Sequence, residues 1–340
     1  MTVHFGVVSL GHVLGEPVDV ASAASDYTND VDRVLSWGYR TFHRAADGVG
    51  LTDLAAEAGA KALSNAGVQP HEVDLVVLAM SDLSEHLYWD AAGATQAKIG
   101  ANRSETVLLT QACGGGVAAF DIVAGKFATH PDYETALIIG ANRVCEPYWN
   151  RMEINTSIFS DGAAAAVVRR DHPHNRWLTT EIISDGRYAD FMMMDIGSAA
   201  RPFTGQDPAE VKVQSPQKRL EEFFAGDIRR MFEFVSTIRN NNHEVVRRAC
   251  ARAGLAPSDL TRLLHLHDSV PALTLLAKDL GMGPEWTNAE VAQAHGHIGC
   301  ADQLMSLEHY LTADELTGGD VVALTSTASG MHWLCTLLAI

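Results

Sequence analysis

Two stretches of the chain carry the same order of apolar and polar positions. In residues 59–82, GAKALSNAGVQPHEVDLVVLAMSD, small and apolar side chains recur at helical spacing as far as Ala66-Gly67, followed by Pro70 and the unbroken apolar run Leu75–Met80. That order predicts an amphipathic helix closed by glycine, a proline turn and a buried strand. Residues 246–268, VRRACARAGLAPSDLTRLLHLHD, repeat it: a helix to Ala253-Gly254, then Pro257, an acidic turn and a strand over 263–267. Each half continues alike. A helix over 91–99, a short strand at 106–109 and a helix opening at Cys113-Gly114-Gly115-Gly116 in the first half correspond in the second to a helix over 271–280 and a glycine-rich segment, 294–302, that opens another helix. Strands close both halves, over 136–140 and 163–168, and over 321–325 and 333–338. The pattern predicts a duplicated α/β protein of two pseudo-twofold-related halves, 1–170 and 171–340.

Residues 184–242 interrupt the repeat. Asp185-Gly186-Arg187, Met192-Met193-Met194, Pro202 and Pro208 predict an irregular insertion, followed by a long amphipathic helix over about 220–239. The three methionines are either gap-filling core or an adaptable pocket lining, since methionine repacks around varied neighbours.

Charge narrows the class. The 340 residues carry 25 Lys+Arg against 42 Asp+Glu, a net charge of -17, with a mean hydropathy of +0.00. Such a surface repels phosphate backbones, and no compact basic patch offsets it, so nucleic acid is not an expected partner. No apolar run approaches the roughly 18 residues of a membrane span, and no basic, then apolar leader opens the chain, so the expected compartment is the cytoplasm. Five cysteines, Cys113, Cys145, Cys250, Cys300 and Cys335, never fall in a Cys-x-x-Cys pair, so neither a disulfide framework nor a zinc site is expected. A phosphate loop, a dinucleotide fingerprint and a metal-ligand cluster are also missing, which leaves no bound cofactor or metal to expect.

Two positions carry candidate chemistry. Cys113 stands where a strand meets the first turn of a helix, and the positive end of a helix favours the thiolate. The glycines after it allow close approach of a ligand to the backbone. In the other half, His297 in His295-Gly296-His297-Ile298-Gly299 is followed by Asp302, one turn into the next helix. A carboxylate there can hold one imidazole nitrogen and leave the other for a thiol or a substrate. His267 ends its strand at the position corresponding to Met80, while His265 alternates with it toward the other face.

These residues bring a family into view. LLTQACGGGVAAFDIVAGKF around Cys113, SIFSDGAAAAVV at 157–168, His267 at a strand end, the 295–302 segment and the C-terminal STASGMHW resemble, in collinear order, the ketosynthase III family of the thiolase superfamily. The resemblance implies a thiolase fold, five-layered αβαβα, and a homodimer. It implies that Cys113 is the acyl-accepting nucleophile and that His267 matches the histidine opening a His-Gln-Ala-Asn motif. It also implies that the backbone N–H groups of Cys113 and Ser329 form the oxyanion hole, and that Tyr88 crosses the dimer interface to shape the acyl pocket.

Two departures redirect the expected reaction. Condensing members carry Gly-Asn-Thr-Ser where this chain has Gly296-His297-Ile298-Gly299, and here Asp-Ser-Val follows His267. Losing one donor to a developing enolate costs roughly 10²–10³ in rate. A histidine held by Asp302 suits deprotonation of a hydroxyl or amine attacking an acyl-Cys113 thioester. The expected activity is therefore that of a ketosynthase III-like acyltransferase of natural-product tailoring. It would take its acyl or aryl group from a phosphopantetheine thioester, acyl carrier protein or acyl-CoA, and pass it to a hydroxyl or amine of a natural-product sugar, cyclitol or polyketide acceptor. A carbon–carbon-bond-forming starter ketosynthase and a non-catalytic partner subunit are the alternatives, and spacing leaves open which histidine is the principal base. An acidic carrier protein would need a local basic patch on this acidic chain, for which Arg247, Arg248 and Arg252 are candidates alongside a plain solvated helix face.

Overall fold

The repeated helix-to-strand pattern is realised in both halves of the computed structural model, which describes every residue except 1, 2, 155, 195, 196, 204 and 206–215. Pro208 lies outside the described residues. The first half contains β1 (Phe5–Leu14), β2 (Glu16–Asp19), α1 (Val20–Tyr27), α2 (Val31–Leu35), β3 (Thr41–Arg44), α3 (Leu51–Ala66), β4 (Leu75–Met80), α4 (Ala91–Ile99), β5 (Glu105–Leu109), α5 (Gly115–Thr129), β6 (Thr135–Asn142) and β7 (Gly162–Arg170). The second contains β8 (Arg176–Ser184), α6 (Pro216–Phe224), α7 (Ile228–Arg252), β9 (Arg262–Leu264), α8 (Val270–Asp279), α9 (Ala289–His295), α10 (Asp302–Thr312), β10 (Val321–Ala328) and β11 (His332–Ala339). α3 stops at Gly67, whose φ of 65° lets its N–H reach back to the Leu63 and Ser64 carbonyls. A 3₁₀ turn, Pro70–Glu72, then feeds β4, and Pro257–Asp259 does the same before β9.

The strands lie in the order β5-β4-β6-β7-β1-β8-β11-β10-β9. β4 runs parallel to β5 and β6, whereas β7 is antiparallel to β6 and β1. In the second half β9 is parallel to β10, and β11 is antiparallel to β10 and β8. The two sets of strands are joined by one residue pair, Gly6 with Arg176. The counterpart of β5 is reduced to a single bridge between Leu263 and Thr287.

Side-chain alternation along the strands creates the layers. On β4, Leu75 and Val77 face inward onto Val117, Phe120 and Val123 of α5, while Val76 and Leu78 face outward onto Leu54, Ala58 and Ala62 of α3. On β11, Leu334 and Leu338 share the inner core, whereas Trp333, Cys335 and Leu337 meet Val245, Val246 and Ala249 of α7. α5 and α10 thus form a middle layer between the two sets of strands, with α3 and α7 outside. This is the five-layered αβαβα thiolase fold.

Two elements differ from the sequence expectation. The helix expected over 220–239 is two, α6 and α7, broken where Ala225 and Gly226 take φ of 50° and 71° and Asp227 caps the next helix through the Arg230 N–H. Strand β9 ends at Leu264 rather than at residue 267: the Leu266 N–H still donates to the Thr325 carbonyl of β10, but the His265 N–H and carbonyl pair with the Asn288 side chain and the His267 N–H donates to Asp302.

One buried ion pair ties the loop after β6 to β3. Arg151, fully buried, donates to Asp161 at 3.0 and 2.8 Å and to Glu146 at 2.5 Å. Asp161 also accepts the Val144 and Ala45 N–H groups. Removing the cation strands Asp161 in the interior, so Arg151→Met is expected to cost about 3–5 kcal/mol in urea unfolding.

Candidate active site

Cys113 sits in a 3₁₀ turn, Ala112–Gly114, between β5 and α5, and Ala112 takes a φ of 44° to make the bend. The thiol thereby meets the N-terminal end of a helix whose body is buried on nearly every side. The second half delivers its own turn, Gly299–Ala301, against this one. A methyl group at Gly116 or at Gly140 would collide with the Cys300 carbonyl oxygen, so these two glycines let the turns pack backbone to backbone.

That packing brings three expected residues into a line. The Cys113 Sγ lies 3.0 Å from His297 Nε2, and His297 Nδ1 lies 2.5 Å from Asp302 Oδ2. Asp302 Oδ1 accepts the Ile298 N–H at 2.7 Å, fixing the carboxylate in its plane. His297 is locked in turn: its backbone N–H donates to the Ile158 carbonyl at 2.8 Å, and the Phe159 ring packs edge-on at 4.8 Å.

His267 stands behind this line. Its Nδ1 donates to the Gly296 carbonyl at 2.8 Å and lies 3.2 Å from Asp302 Oδ1, and its Nε2 accepts from Ser306 Oγ at 2.8 Å. With both ring nitrogens engaged and its backbone N–H on Asp302 at 2.7 Å, it positions the carboxylate and does not address the thiol. His265 points elsewhere, with Nδ1 2.9 Å from Thr325 Oγ1.

Electrostatics separates the two histidines. Burial pulls both down; for His297 the Asp302 charge and the Cys113 sulfur outweigh it and raise the imidazole well above its ordinary value. Burial prevails at His267, which is lowered despite Asp302. Burial alone would raise Asp302, but the two histidines hold it below the ordinary carboxylate range. The buried Asp302 charge thus favours the protonated form of the His297 ring.

The remaining expected residues are placed as follows. Ser329 lies in the turn between β10 and β11, and this hairpin flanks the thiol turn: Ser326 Oγ donates to the Cys113 carbonyl at 2.9 Å, and the Ser329 Oγ reaches Met192 Sδ at 3.3 Å. Tyr88 is fully exposed in the loop before α4, between exposed Leu87 and Trp89. The proposed basic patch is not free. Arg247 and Arg248 share Glu244, and Arg252 donates to Glu181 at 2.8 Å, so three arginines face two carboxylates and the patch is largely, not wholly, offset. Sequence reading missed Ser306 and Asn288, which donates to Ser306 Oγ at 3.0 Å, because a polar partner inside a helix leaves no periodic signal.

Fold and site define a thiolase-fold enzyme. Residues 109–186 match the family described as 3-oxoacyl-[acyl-carrier-protein] synthase III, and residues 250–340 match its C-terminal part. The beta-ketoacyl-[acyl-carrier-protein] synthase III of Rhodospirillum centenum is 28% identical over 322 residues, 92% of this chain and 93% of that protein. The synthase III of Microcystis aeruginosa is 27% identical, covering 86% of this chain and 83% of its own. Among solved structures, the acyltransferase ChlB3 superposes with a TM-score of 0.86 at 20% identity, over 99% of this chain and 98% of that one. A priming beta-ketosynthase of the R1128 polyketide pathway gives 0.78 at 20% identity, over 98% and 96%. The chain is a ketosynthase III-like protein. Among the described residues, no helix is long and apolar enough to cross a membrane.

Asp302→Asn removes the negative charge that favours the imidazolium. The His297 titration, followed by ¹⁵N NMR of the ring, is expected to fall to or below the ordinary imidazole range of about 6.5.

Proposed function

We propose that this protein is an acyltransferase that loads Cys113 from a phosphopantetheine thioester, acyl carrier protein or acyl-CoA, and passes the acyl or aryl group to a hydroxyl or amine. The single observation that carries the reading is the unbroken line from Cys113 Sγ through His297 to Asp302, at 3.0 and 2.5 Å. A condensing site needs neutral donors aimed at an enolate. This one has a base backed by a buried anion, as deprotonation of an attacking alcohol or amine requires.

The steps balance on these residues. His297 carries the thiol proton, and the Cys113 sulfur attacks the thioester carbonyl. As the donor thiolate leaves, Nε2–H returns the proton to it. The acceptor O–H or N–H then attacks the acyl-Cys113 carbonyl, giving its proton to Nε2; the C–S bond breaks, and the resting pair is restored. The backbone N–H groups of Cys113 and Ser329 would receive the oxyanion in both steps. A homodimer would cover exposed Leu87, Tyr88 and Trp89 and bring Tyr88 to its partner's acyl pocket. Carrier docking would rest on shape and on arginines released from Glu244 and Glu181.

The condensing alternative is favoured by the relatives' names, which are those of synthases, and one experiment separates the two. Intact-mass spectra after incubation with malonyl, alkanoyl and aromatic CoA thioesters are expected to show an adduct in the wild type that is lost in Cys113→Ala, with no release of CO₂ coupled to chain extension. Decarboxylation with extension would establish the condensing enzyme. His297→Ala is expected to slow transfer from the loaded enzyme by about 10² or more, read as persistence of the adduct after an amine or alcohol chase.

A further inference from the structure

Two histidines outside the line from Cys113 to Asp302 face each other across the two halves. His43, on β3 of the first half, is buried, and His295 ends α9 in the second half, two residues before His297. His43 Nε2 and His295 Nδ1 are 3.1 Å apart. The ring planes lie within 24° of each other with centroids 5.3 Å apart, nearly the most that such a nitrogen contact allows, so the rings meet edge to edge.

Neighbouring groups fix the protons of this pair. His43 Nδ1 lies 2.9 Å from the Gly15 carbonyl, which only accepts, so Nδ1 carries the hydrogen. The neutral ring then presents a lone pair at Nε2, and His295 Nδ1–H donates to it. Burial lowers both imidazoles, His295 to about 3, so both stay neutral near neutral pH and the order of donor and acceptor persists. The titratable groups around them are His12, Glu16 and Asp161 beside His43, and His267, His12 and His309 beside His295. His12 is itself held by Glu308 at 2.8 Å.

Ser160 joins the pair to the reacting histidine. Its Oγ accepts the His43 N–H at 2.9 Å and donates to the His295 carbonyl at 2.6 Å, while its own N–H donates to the His297 carbonyl at 2.8 Å. Between His295 and His297, Gly296 takes a φ of 69°, and a methyl group there would stand 2.5 Å from Ser160 Oγ. Residues 295–297 therefore lie closely against residues 158–160. Strand β3 has its own anchor, since the His43 carbonyl accepts the Asp161 N–H at 2.8 Å beside the Arg151 ion pair.

We propose that His43, acting through His295 and Ser160, positions His297 for Cys113. Cys113 and His43 belong to the first half, His297 and His295 to the second. The 3.0 Å approach of imidazole to sulfur is thus braced by a second contact between the same two halves. His43 acts through His295 and makes no bond to the sulfur, so it is a positioning residue. The inference rests on His297 acting on the Cys113 thiol, and it holds for acyl transfer and for condensation alike.

The test follows alkylation of Cys113 by iodoacetamide in the full chain, with the modified residue identified by peptide mass spectrometry. An unassisted thiol ionises at about pH 8.5, so reaction at about pH 6 depends on His297 and reaction at about pH 9.5 does not. His43→Phe keeps a ring but loses both polar edges. It is expected to slow the reaction at about pH 6 by about tenfold and to leave the rate at about pH 9.5 within about twofold. His43→Gln, whose amide oxygen takes the place of Nε2 as acceptor, is expected to stay within about threefold of the wild type at the lower pH. A folded His43→Phe with wild-type rates, an equal loss at both pH values, or a Gln variant as slow as the Phe variant would overturn the assignment. If His43→Phe does not fold, the half-buried His295→Phe, which leaves His43 on Gly15, is read in the same way. If His297→Ala alkylates like the wild type at the lower pH, the thiol–base reading fails on its own, and the ¹⁵N titration of the His297 ring decides. A titration moved by either Phe variant supports the positioning role, and an unchanged one removes it.

Discussion

A carboxylate with no access to water organises the centre of this protein. Asp302 is completely buried, and an anion there is tolerable only if every side of it is answered. The answers come from different parts of the second half: the His267 and Ile298 backbone amides, the His267 ring and the His297 ring. Meeting those demands turns the His267 amide toward the site, sets the turn before α10 and fixes the imidazole that faces Cys113. The shape of the second half around the Gly299–Ala301 turn follows from where that charge must be satisfied.

The fold was largely legible from the sequence because its signals are local and periodic. Leu75–Met80 is a strand with the limits its apolar run implies, and Gly67 and Gly254 end their helices in left-handed conformations. Where the pattern misled, a special backbone or a polar obligation had taken over. Ala225 and Gly226 break what amphipathicity alone reads as one helix, and β9 is shorter than its apolar alternation where His265 pairs with Asn288 and His267 answers to Asp302.

The site was legible to a lesser depth. Cys113, His297 and Asp302 are marked by glycine-rich turns and short spacing, and the structure brings them together. The shell that steadies them is not marked: Ser306 on an ordinary helix, Asn288 ahead of a short one, and Thr156 and Ser157 in a loop more than a hundred positions from Asp268. The pairing of the surface arginines is only partly written in the sequence. Arg247, Arg248 and Arg252 form a basic run in the sequence, yet folding delivers Glu244 and Glu181 to their side chains.

Strands β1 and β8 meet at one residue pair, so the sheet transmits little from one half to the other. What couples them instead is the middle layer, α5 against α10, and the backbone contact of the Cys300 carbonyl with Gly116 and Gly140. Further ties lie around it, where Trp37, Tyr39 and Arg40 bond to Val270, His267 and Gln293, so the two sets of strands are held together around the point where the sulfur and the imidazole meet. Sequence change in the outer helices or in the 184–242 region can therefore reshape what each half presents to its ligand, while the 3.0 Å spacing at that point is held by glycines and a carbonyl that leave no room for drift.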